Sequence, residues 1–301
     1  MRITTLLTSS VTAVSFFAGT AMAQDKVTFQ LDWLPGGDKA PIYFCIAQGI
    51  CADAGLEVTI EPARGSSEAI TKLATGISDI GSAGIGALMS AVAMEDAPVT
   101  AVASIFNMGP HAFYTTADKG ITSVADLAGK SVATSPFTES NVYLPLMLAD
   151  NGMSEADISL TKSDPGTLGP LLMTGQADAI IAWLTDETRY TNQALDAGKE
   201  IVILPWSDMG LELYSASLVA SDKFLTERPD VAKRFVAAFL ASIEFAQANP
   251  DLAAASVADM VPELALEDVK GSWLDASQLI FNDVTEVDGL GALEPERLAA
   301  T

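Results

Sequence analysis

The sequence predicts an α/β protein of two similar lobes, each a helix-covered and mostly parallel sheet. The first observation is that short apolar strands alternate with segments of helical apolar spacing between residue 24 and about residue 215, which is typical of parallel sheets. The second is an order of elements that occurs twice: strand, polar loop, helix, strand, short helix, Gly-x-x-Asp, strand. The sequences GISD at 76–79 and GQAD at 175–178 occupy the same place in the two copies. The third is that the chain from residue 224 onward shows helical periodicity alone.

In the first copy we predict strands at 26–31, 57–60 and 79–81. The sequence VTFQL at 27–31 alternates apolar and polar residues, as a half-buried strand does. Helices are predicted from about residue 41, after the glycine at 65, where apolar residues recur at helical spacing up to residue 77, and at 85–93.

In the second copy we predict strands at 131–134, 158–162 and 179–184, with helices at 142–150 and 168–174. Three amphipathic helices follow, at 229–248, 251–260 and 266–281. We assign residues 24–113 plus 216–301 to the first lobe and 114–215 to the second. The chain then crosses between the lobes twice, near 113–115 and near 214–218, which predicts a hinge.

The composition excludes several classes of protein. Of the 301 residues, 49% are hydrophobic and 18% are charged, which is typical of a folded chain with a core. Asp and Glu number 39 against 16 Lys and Arg, so the net charge is −23. Because such a surface repels phosphate backbones, we expect no nucleic-acid partner. One histidine and two cysteines cannot assemble the common zinc sites, and we predict no metal and no cofactor.

The first 23 residues predict an export signal. Arg2 supplies a positive start, 11–18 form a short apolar stretch, and AMA at 21–23 is a small-x-small cleavage site. The apolar stretch is shorter than the roughly 20 residues that span a bilayer. We therefore expect a soluble periplasmic protein, cut after Ala23.

The two cysteines lie six residues apart in a segment that we predict as one helix. Six residues of helix rise about 9 Å, which exceeds the usual Cα separation of a disulfide. A bridge between Cys45 and Cys51 would require the helix to break at Gly49. We predict two packed, unpaired thiols instead.

Four segments, in matching order and spacing, resemble one family. They read LDWLPGGDKAPIYFCIAQGICADAGLEV at 31–58, GSSEAITKLATGISDIGSAG at 65–84, DLAGKSVAT at 126–134 with GQADAIIAW at 175–183, and LVASDKFLTERPDVAKRFVAAFLASIEFAQANPD at 218–251. The chain resembles the periplasmic solute-binding proteins of ABC importers, in the NMT1/THI5-like, sulfonate-, taurine- and nitrate-binding (SsuA/TauA-like) superfamily. Its Asp-Trp-x-Pro opening and its last segment are most similar to the NMT1/THI5-like, pyrimidine-binding branch. Where that branch typically has Asn-x-x-His, this chain has GGDK at 36–39.

The resemblance implies a two-lobed periplasmic-binding-protein fold of type II, with two hinge crossings. It implies a monomer that captures a small solute between its lobes and delivers it to an ABC permease with its cytoplasmic ATPase. A thiamine pyrimidine precursor or a related nitrogen heterocycle is the first ligand expected, and a small sulfonate such as taurine is the alternative. We expect no enzymatic activity. The alternative class is a pyrimidine-synthase-like enzyme on the same fold, although such enzymes carry a cysteine-rich signature that is absent here.

Candidate ligand contacts in the first lobe follow the carboxyl ends of predicted strands, where ligands bind in such sheets. Trp33 lies on a Pro-Gly loop, where its ring can stack on a planar ligand. Asp32 can accept a hydrogen bond from a ring N–H or an ammonium, or can cap its own loop. The start of the helix at 65–67 offers free N–H groups and two hydroxyls to an anionic or polar group, or is an ordinary serine cap. The first-lobe candidates are Asp32, Trp33, Lys39, Gly65, Ser66, Ser67, Ser82 and Gly84.

The loop at 135–141 is the equivalent position in the second lobe. Thr138, Ser140 and Asn141 can donate to a ligand, and we expect one of them to cap the helix that follows. Glu139 would oppose an anion. Trp183 ends a strand where the family supplies an aromatic wall to the cleft, and packing between helices is the alternative role. His111 lacks the sequence context of a catalytic base, and we predict a buried or hinge-proximal histidine. The second-lobe candidates are Ser135, Thr138, Glu139, Ser140, Asn141, Trp183 and Asp186.

Overall fold

The computed structural model describes residues 23–211 and 213–301. The predicted export signal at 1–23 lies outside the described residues, apart from Ala23. The first strand of the described residues begins at Asp25.

The described residues form ten strands in two five-stranded sheets. The strands are β1 (Asp25–Gln30), β2 (Leu56–Glu61), β3 (Ile80–Gly84), β4 (Val99–Ser104), β5 (His111–Thr116), β6 (Ser131–Thr134), β7 (Ser159–Lys162), β8 (Ala179–Trp183), β9 (Ile201–Pro205) and β10 (Ala216–Ser221).

The two sheets share one topology. The first has the order β2-β1-β3-β10-β4 and the second has the order β7-β6-β8-β5-β9. In the first sheet β1 is parallel to β2 and β3, whereas β10 is antiparallel to β3 and β4. In the second sheet β6 is parallel to β7 and β8, whereas β5 is antiparallel to β8 and β9. Four of the five strands in each sheet run in one direction, which confirms the predicted pair of mostly parallel sheets.

Helices cover both sheets. They are α1 (Ala40–Ala47), α2 (Ile50–Asp53), α3 (Ser66–Ala74), α4 (Ile85–Glu95), α5 (Ser140–Asp150), α6 (Leu168–Met173), α7 (Glu187–Asp196), α8 (Asp222–Glu227), α9 (Pro229–Ala248), α10 (Pro250–Met260), α11 (Leu266–Ile280), α12 (Asp283–Asp288) and α13 (Pro295–Ala300). None of these helices is long and apolar enough to cross a membrane.

The core of the first lobe lies between its sheet and the C-terminal helices. Phe29 of β1 stacks on Phe235 and on Phe239 of α9, with ring centroids 5.7 Å apart in each pair. The two α9 residues are four apart and so lie on one helix face. Trp273 of α11 is buried in the same core and donates its indole N–H to the carbonyl of Ala246. The C-terminal helices thus complete the first lobe.

The chain passes between the two sheets in two segments. The first is 105–110, between β4 and β5, and the second is 206–215, between β9 and β10. We predicted the first crossing at 113–115, which lies inside β5 of the second sheet. The antiparallel strands β5 and β10 are each the first strand after a crossing. Each runs opposite to the rest of its sheet because the chain enters that sheet from the other lobe.

The prediction of two unpaired thiols is wrong, because Cys45 and Cys51 form a disulfide. The predicted single helix ends as α1 at Ala47, and α2 begins at Ile50. Gly49 between them adopts a left-handed conformation, with φ of 77°, which glycine reaches without a steric penalty. This break brings the two Cα atoms to 5.2 Å, within the range of a disulfide.

Helix α11 contacts both lobes. Its first-lobe side packs against α10, and its other side packs against α7 of the second lobe. Thr188 of α7 donates its hydroxyl to the Asp275 carboxylate over 2.9 Å, and Asn192 donates to Asp268 over 2.6 Å. The C-terminal part of the chain therefore forms a third wall beside the two sheets.

Candidate functional site

A cleft opens where the two lobes and α11 meet, with a volume of about 770 Å³ including its open mouth. One wall is the loop that follows β1, and the facing wall is the end of β8 with the turn after it. The base of α11 closes a third side. The lining residues are Asp32, Trp33, Leu34, Pro35, Gly36, Gly37, Asp38, Ser66, Thr138, Ile181, Ala182, Trp183, Thr185, Asp186, Arg189, Leu264, Asp268, Val269 and Ser272.

The loop after β1 is held against α11 by its glycines and its backbone. A side chain at Gly37 would overlap the backbone carbonyl of Val269, so the close approach requires glycine. The N–H of Asp38 donates to the Ser272 hydroxyl over 3.1 Å. The sequence GGDK at 36–39 therefore fixes this wall of the cleft.

Two tryptophans line the cleft from opposite lobes, and each packs into the lobe that faces it. Trp33, from the loop after β1, packs against the second-lobe cluster that contains Tyr114 and Tyr190. Trp183, at the end of β8, packs against the first-lobe core and meets Phe106 edge-on at 6.1 Å. The indole N–H of Trp183 has no hydrogen-bond partner among the described residues. Both predicted aromatic residues therefore border the cleft.

A buried group of three charges lies behind and within the first-lobe wall. The Lys39 ammonium is 2.6 Å from Asp32 Oδ1 and 2.8 Å from Asp38 Oδ2. The Ser82 hydroxyl donates to Asp32 Oδ1 over 2.7 Å. Asp32 is only 2% exposed, and its second oxygen, Oδ2, has no partner in the described part of the chain.

The pKa values of this group follow from burial and from mutual attraction. Burial acts to lower the pKa of Lys39, but the nearby Asp32 and Asp38 carboxylates outweigh it, and the net shift is upward. Burial raises the pKa of Asp38, and Lys39 opposes that shift. Lys39 therefore stays charged and is engaged by two carboxylates, rather than extending into the cleft as a free cation.

The second-lobe wall carries one ion pair. The Arg189 guanidinium donates to Asp186 Oδ1 over 2.7 Å and stacks over the Tyr190 ring at 4.7 Å. The pKa of Arg189 is raised, chiefly by the Asp186 charge and against the effect of burial. Its Nε–H has no partner among residues 23–211 and 213–301.

The predicted anion site at 65–67 is engaged by the second lobe. The N–H of Ser67 donates to the carbonyl of Phe137 over 3.1 Å, and the backbone of Phe137 lies against Gly65. The Ser66 hydroxyl accepts a hydrogen bond from the N–H of Gly84 over 2.9 Å. Ser66 lines the cleft, whereas Ser67 is exposed outside it.

Glu139 is a contact between the lobes and does not line the cleft. It belongs to the second lobe, yet its Oε1 accepts from the N–H of Gly86 in α4 over 2.8 Å. Its Oε2 accepts from the Ser215 hydroxyl over 2.5 Å. Burial raises the pKa of Glu139 to about 7, although these hydrogen bonds lower it. The carboxylate is fully buried and joins the two lobes.

The rest of the 135–141 loop is also engaged within the protein. The Ser135 hydroxyl donates to the carbonyl of Arg64 in the other lobe, and Asn141 donates to the carbonyl of Ser135. The Ser140 hydroxyl lies 3.0 Å from Nδ1 of His111, which is buried beside a crossing as predicted. Burial lowers the pKa of His111 to about 3. We expected a hydroxyl or amide of this loop to cap α5, but the N-cap residue is Glu139 and no side chain caps it.

Of the predicted contacts, the structure brings six to the cleft: Asp32, Trp33, Ser66, Thr138, Trp183 and Asp186. Three more, Lys39, Ser82 and Gly84, do not line the cleft, but each contacts a residue that does. Gly65, Ser67, Ser135, Glu139, Ser140 and Asn141 lie outside the lining.

Sequence reasoning missed two groups of lining residues. Asp38 lies in the segment GGDK at 36–39, where the related branch typically has Asn-x-x-His. This difference in sequence could have identified Asp38 as a candidate. Arg189 and the α11 residues reach the cleft only through the packing of α7 against α11, which no local pattern contains. No cluster of metal-ligating side chains that could hold an ion was found among the described residues.

A family model described as NMT1/THI5 like matches residues 37–253. Several relatives are similar over most of the chain, and two of them are described here. The riboflavin-binding protein RibY of Chloroflexus aurantiacus is 26% identical over 249 residues, which cover 81% of this chain and 69% of RibY. The formylaminopyrimidine-binding protein of Halalkalibacterium halodurans is 26% identical over 235 residues, covering 76% of this chain and 68% of that protein.

The solved structures confirm the fold. The alkanesulfonate-binding protein SsuA of Xanthomonas axonopodis, bound to MOPS, superposes with a TM-score of 0.66 at 17% identity. The match covers 87% of this chain and 90% of SsuA. The chain therefore has the periplasmic-binding-protein fold, with its cleft between the lobes.

Proposed function

The chain belongs to the NMT1/THI5-like family, and from that premise we propose that it is the solute-binding component of an ABC importer, which captures a planar nitrogen heterocycle between its lobes. A thiamine pyrimidine precursor is the first candidate within this class. We further propose that it works in the periplasm as a monomer and delivers the ligand to a membrane permease with its cytoplasmic ATPase.

The observation that carries this proposal is the pair of tryptophans on facing walls of the cleft. Trp33 and Trp183 come from different lobes and both line the same space. Aromatic faces bind planar rings by stacking, and they add about 0.5–1.5 kcal/mol beyond the burial of area. Apolar Leu34, Pro35 and Ile181 extend these surfaces, so the cleft suits a flat ring with a few polar groups.

The names of two relatives support the same class of ligand. One is named for riboflavin and the other for a formylaminopyrimidine, and both of these ligands contain planar nitrogen heterocycles. These names describe those proteins. For this chain they make a heterocycle the first class to test.

The mechanism follows from a site divided between two lobes. A ligand that touches Trp33 on one lobe and Trp183 on the other binds the closed arrangement more tightly than an open one. Binding therefore shifts the population toward the closed form, which the permease recognises. This mechanism needs no chemical step.

The sulfonate alternative has less support from the site. The N–H of Ser67 at the start of α3 already donates to the carbonyl of Phe137, and Lys39 and Arg189 are each paired with carboxylates. An anion would therefore lack a free cation on the first-lobe wall. We favour the heterocycle over the sulfonate for this reason.

The enzyme alternative depends on cysteine chemistry, and both cysteines are joined in a buried disulfide away from the cleft. Incubating the protein with a bound ligand and recovering that ligand unchanged by mass spectrometry would support a binding role. Recovery of a converted product would overturn it.

A thermal-shift screen of heterocycles, sulfonates, nitrate and amines tests the proposed ligand class. A ligand at 100 times its dissociation constant adds about 2.7 kcal/mol to the stability of the folded state, a change that such a screen detects. We expect hits among pyrimidines and related rings. Stabilisation by sulfonates or nitrate alone would overturn the proposal.

A further inference from the structure

We propose that the cleft selects a ligand with a positively charged group, an ammonium or a protonated ring nitrogen, and that this group lies against Asp32. This inference rests on the proposed binding function and adds a charge class to it. The argument combines an unpartnered carboxylate oxygen, the balance of charges around the cleft, and the polarity of the facing wall.

Only one of the two oxygens of the Asp32 carboxylate has partners among the described residues. Its Oδ1 receives both Lys39 and the Ser82 hydroxyl, whereas Oδ2 is buried and has no partner among the described residues. Buried polar atoms almost always have hydrogen-bond partners, and an unpaired one is costly. Asp32 lines the cleft, so a ligand donor is the partner that this geometry lacks.

Negative charges outnumber positive charges around the cleft. Four carboxylates line it, those of Asp32, Asp38, Asp186 and Asp268. The cations beside them in the described chain are Lys39, which contacts the first two carboxylates, and Arg189, which contacts the third. Within residues 23–211 and 213–301, the side chain that binds Asp268 is the neutral amide of Asn192. Two of the four carboxylate charges are thus not balanced by a cation. The net charge of the whole chain, −23, makes the potential in the cleft still more negative.

Lys39 strengthens this selection. It lies between Asp32 and Asp38 and 5.5 Å from the centre of the Trp183 ring, with a side chain that is 5% exposed. Because its ammonium is held by both carboxylates, it has little capacity left to bind an anionic ligand. It fixes the orientation of Asp32 and leaves the three-residue group with one net negative charge.

The facing wall carries two hydrogen-bond donors that have no partner among the described residues. The Trp183 Nε1–H and the Arg189 Nε–H are both buried, both on lining residues, and both without partners in the described residues. The ligand therefore needs an acceptor on the side opposite its charged group. The two lobes would then bind opposite ends of one polar molecule, which makes binding depend on closure.

Three compounds on one ring test the inference: 4-(aminomethyl)pyridine, which is a cation at pH 7, neutral 4-(hydroxymethyl)pyridine, and the anion pyridine-4-carboxylate. Their affinities would be measured by ligand-observed NMR titration with the full exported chain. We expect the cation to bind about tenfold or more tightly than the neutral compound, because it adds a charge-assisted hydrogen bond. We expect the anion to bind more weakly than both.

The variant Asp32→Asn removes the charge while keeping the shape of the side chain. We expect it to reduce the preference for the cation over the neutral compound to about twofold or less. Asp208→Asn is the matched control, since Asp208 is an exposed carboxylate of the second crossing segment and does not line the cleft. It changes the net charge equally and should leave the preference unchanged. The comparison on unmodified protein stands even if Asp32→Asn does not fold.

The outcomes separate this inference from the proposed function. If the neutral or the anionic compound binds as tightly as the cation, the inference is overturned while the planar-ring cleft stands. A cation preference that survives in Asp32→Asn also overturns the role of Asp32. If none of the three compounds binds, the heterocycle proposal fails and this inference fails with it.

Discussion

The loops after β1 and after β6 occupy equivalent places in the two sheets but serve different parts of the boundary between the lobes. Each follows the second strand in its sheet order and each precedes a helix. The loop after β1 lines the cleft through Asp32 and Trp33. The loop after β6 instead contacts the first lobe, through Phe137 and Glu139.

The third strands show the reverse arrangement. In the second lobe, the end of β8 supplies Trp183 and Asp186 to the cleft. In the first lobe, the equivalent end of β3 leads to Gly86, whose N–H binds the Glu139 carboxylate. The boundary therefore has two halves. The cleft half consists of the β1 loop, the β8 end and α11. The contact half consists of the starts of α3 and α4 and the loop after β6, apart from Ser66 and Thr138 of these segments, which line the cleft.

The difference teaches that topological equivalence does not assign function in a two-lobed protein. Because the lobes face each other, equivalent loops lie on opposite sides of the boundary rather than beside one another. One half leaves Asp32 Oδ2 and the Trp183 N–H without partners in the described chain, and the other pairs Glu139 and Ser67 across the lobes. Ligand selectivity and closure can therefore be tested separately.

The largest expected effect on ligand binding is in the cleft half. Trp33→Ala and Trp183→Ala should each weaken binding of a heterocycle at least about tenfold, through lost stacking and lost burial. Because the two rings lie on different walls, the double variant should lose about a hundredfold if they act independently. Calorimetric titration measures this. Phe245→Ala, which removes an exposed aromatic residue of α9, is the control. Unchanged binding in both single variants would show that the cleft half is misassigned.

The next effect is on the contact half. Glu139→Ala leaves the Gly86 N–H and the Ser215 hydroxyl without an acceptor and opens a cavity in a buried place. We expect the free energy of unfolding in urea to fall by about 2–4 kcal/mol. Glu155→Ala, at an exposed second-lobe position, should change it by less than about 0.5 kcal/mol. Equal effects in the two variants would contradict the role of Glu139 between the lobes.

Glu139 should also make the stability of the folded protein depend on pH, in a direction that follows from its raised pKa. Its pKa is raised by burial from an ordinary value of 4.5 to about 7 in the folded protein. The folded state then binds more protons than the unfolded state between these values, so this contribution to stability is present below about pH 4.5 and is lost as the pH rises through about 7. We expect the stability of the wild type relative to Glu139→Gln to decline over this range. His111 Nε2 lies 3.6 Å from Glu139 Oε2, and because burial lowers the pKa of His111 to about 3, this histidine stays neutral over the same range in the folded wild type. A difference that stays constant with pH would contradict the raised pKa.

The disulfide, which only the first of the two equivalent helical segments contains, should have a smaller effect on stability. The Cys45–Cys51 disulfide lies in the helical segment after β1, and α5, which follows β6, contains no cysteine. A bridge that closes so short a loop contributes about 2 kcal/mol in the chain-entropy account. Cys45→Ser/Cys51→Ser should lose that much stability in urea, and reductant should lower the wild type to the same value. Stability that does not respond to reductant would mean that the bridge is absent from the folded protein.

Local signals were sufficient for the two-lobed plan and for most of the long helices, but not for α7 or for the break between α1 and α2. Apolar spacing predicts a helix at 229–248, and α9 has those bounds, with a proline at its first position. The strands β4, β5, β9 and β10 were not predicted. In β10 all six residues are buried and four of them are alanine or serine, so the alternation that marks a half-buried strand is missing. Its place between β3 and β4 depends on pairing with distant parts of the chain.

The site was predicted in part for the same reason. Asp32 lies just after β1 and Trp183 ends β8, so the rule that ligands bind at the carboxyl ends of strands identifies both. Ser67 and Glu139 also follow strands, yet the facing lobe engages them. Asp268 lies on a helix that reaches the cleft only through long-range packing. Local rules indicate which residues lie near the boundary between the lobes, and only the packing of the lobes decides which of its two halves each residue joins.

The smallest expected effect is the sharpest test of where the two halves divide. Ser67→Ala should change the affinity for a heterocycle by less than about twofold, because its side chain is exposed outside the cleft and its N–H, which binds Phe137, is kept. Ser66→Ala should have a somewhat larger effect, since the Ser66 hydroxyl accepts from Gly84 at the edge of the cleft. A sulfonate held at this helix start would instead lose a hydrogen bond to a charged group, worth about 1.5–3 kcal/mol, or at least tenfold in affinity. Calorimetric titration of both variants with the ligand that the thermal screen identifies separates these outcomes. A tenfold loss in Ser67→Ala would move the start of α3 from the contact half to the cleft half, and the ligand class would change with it.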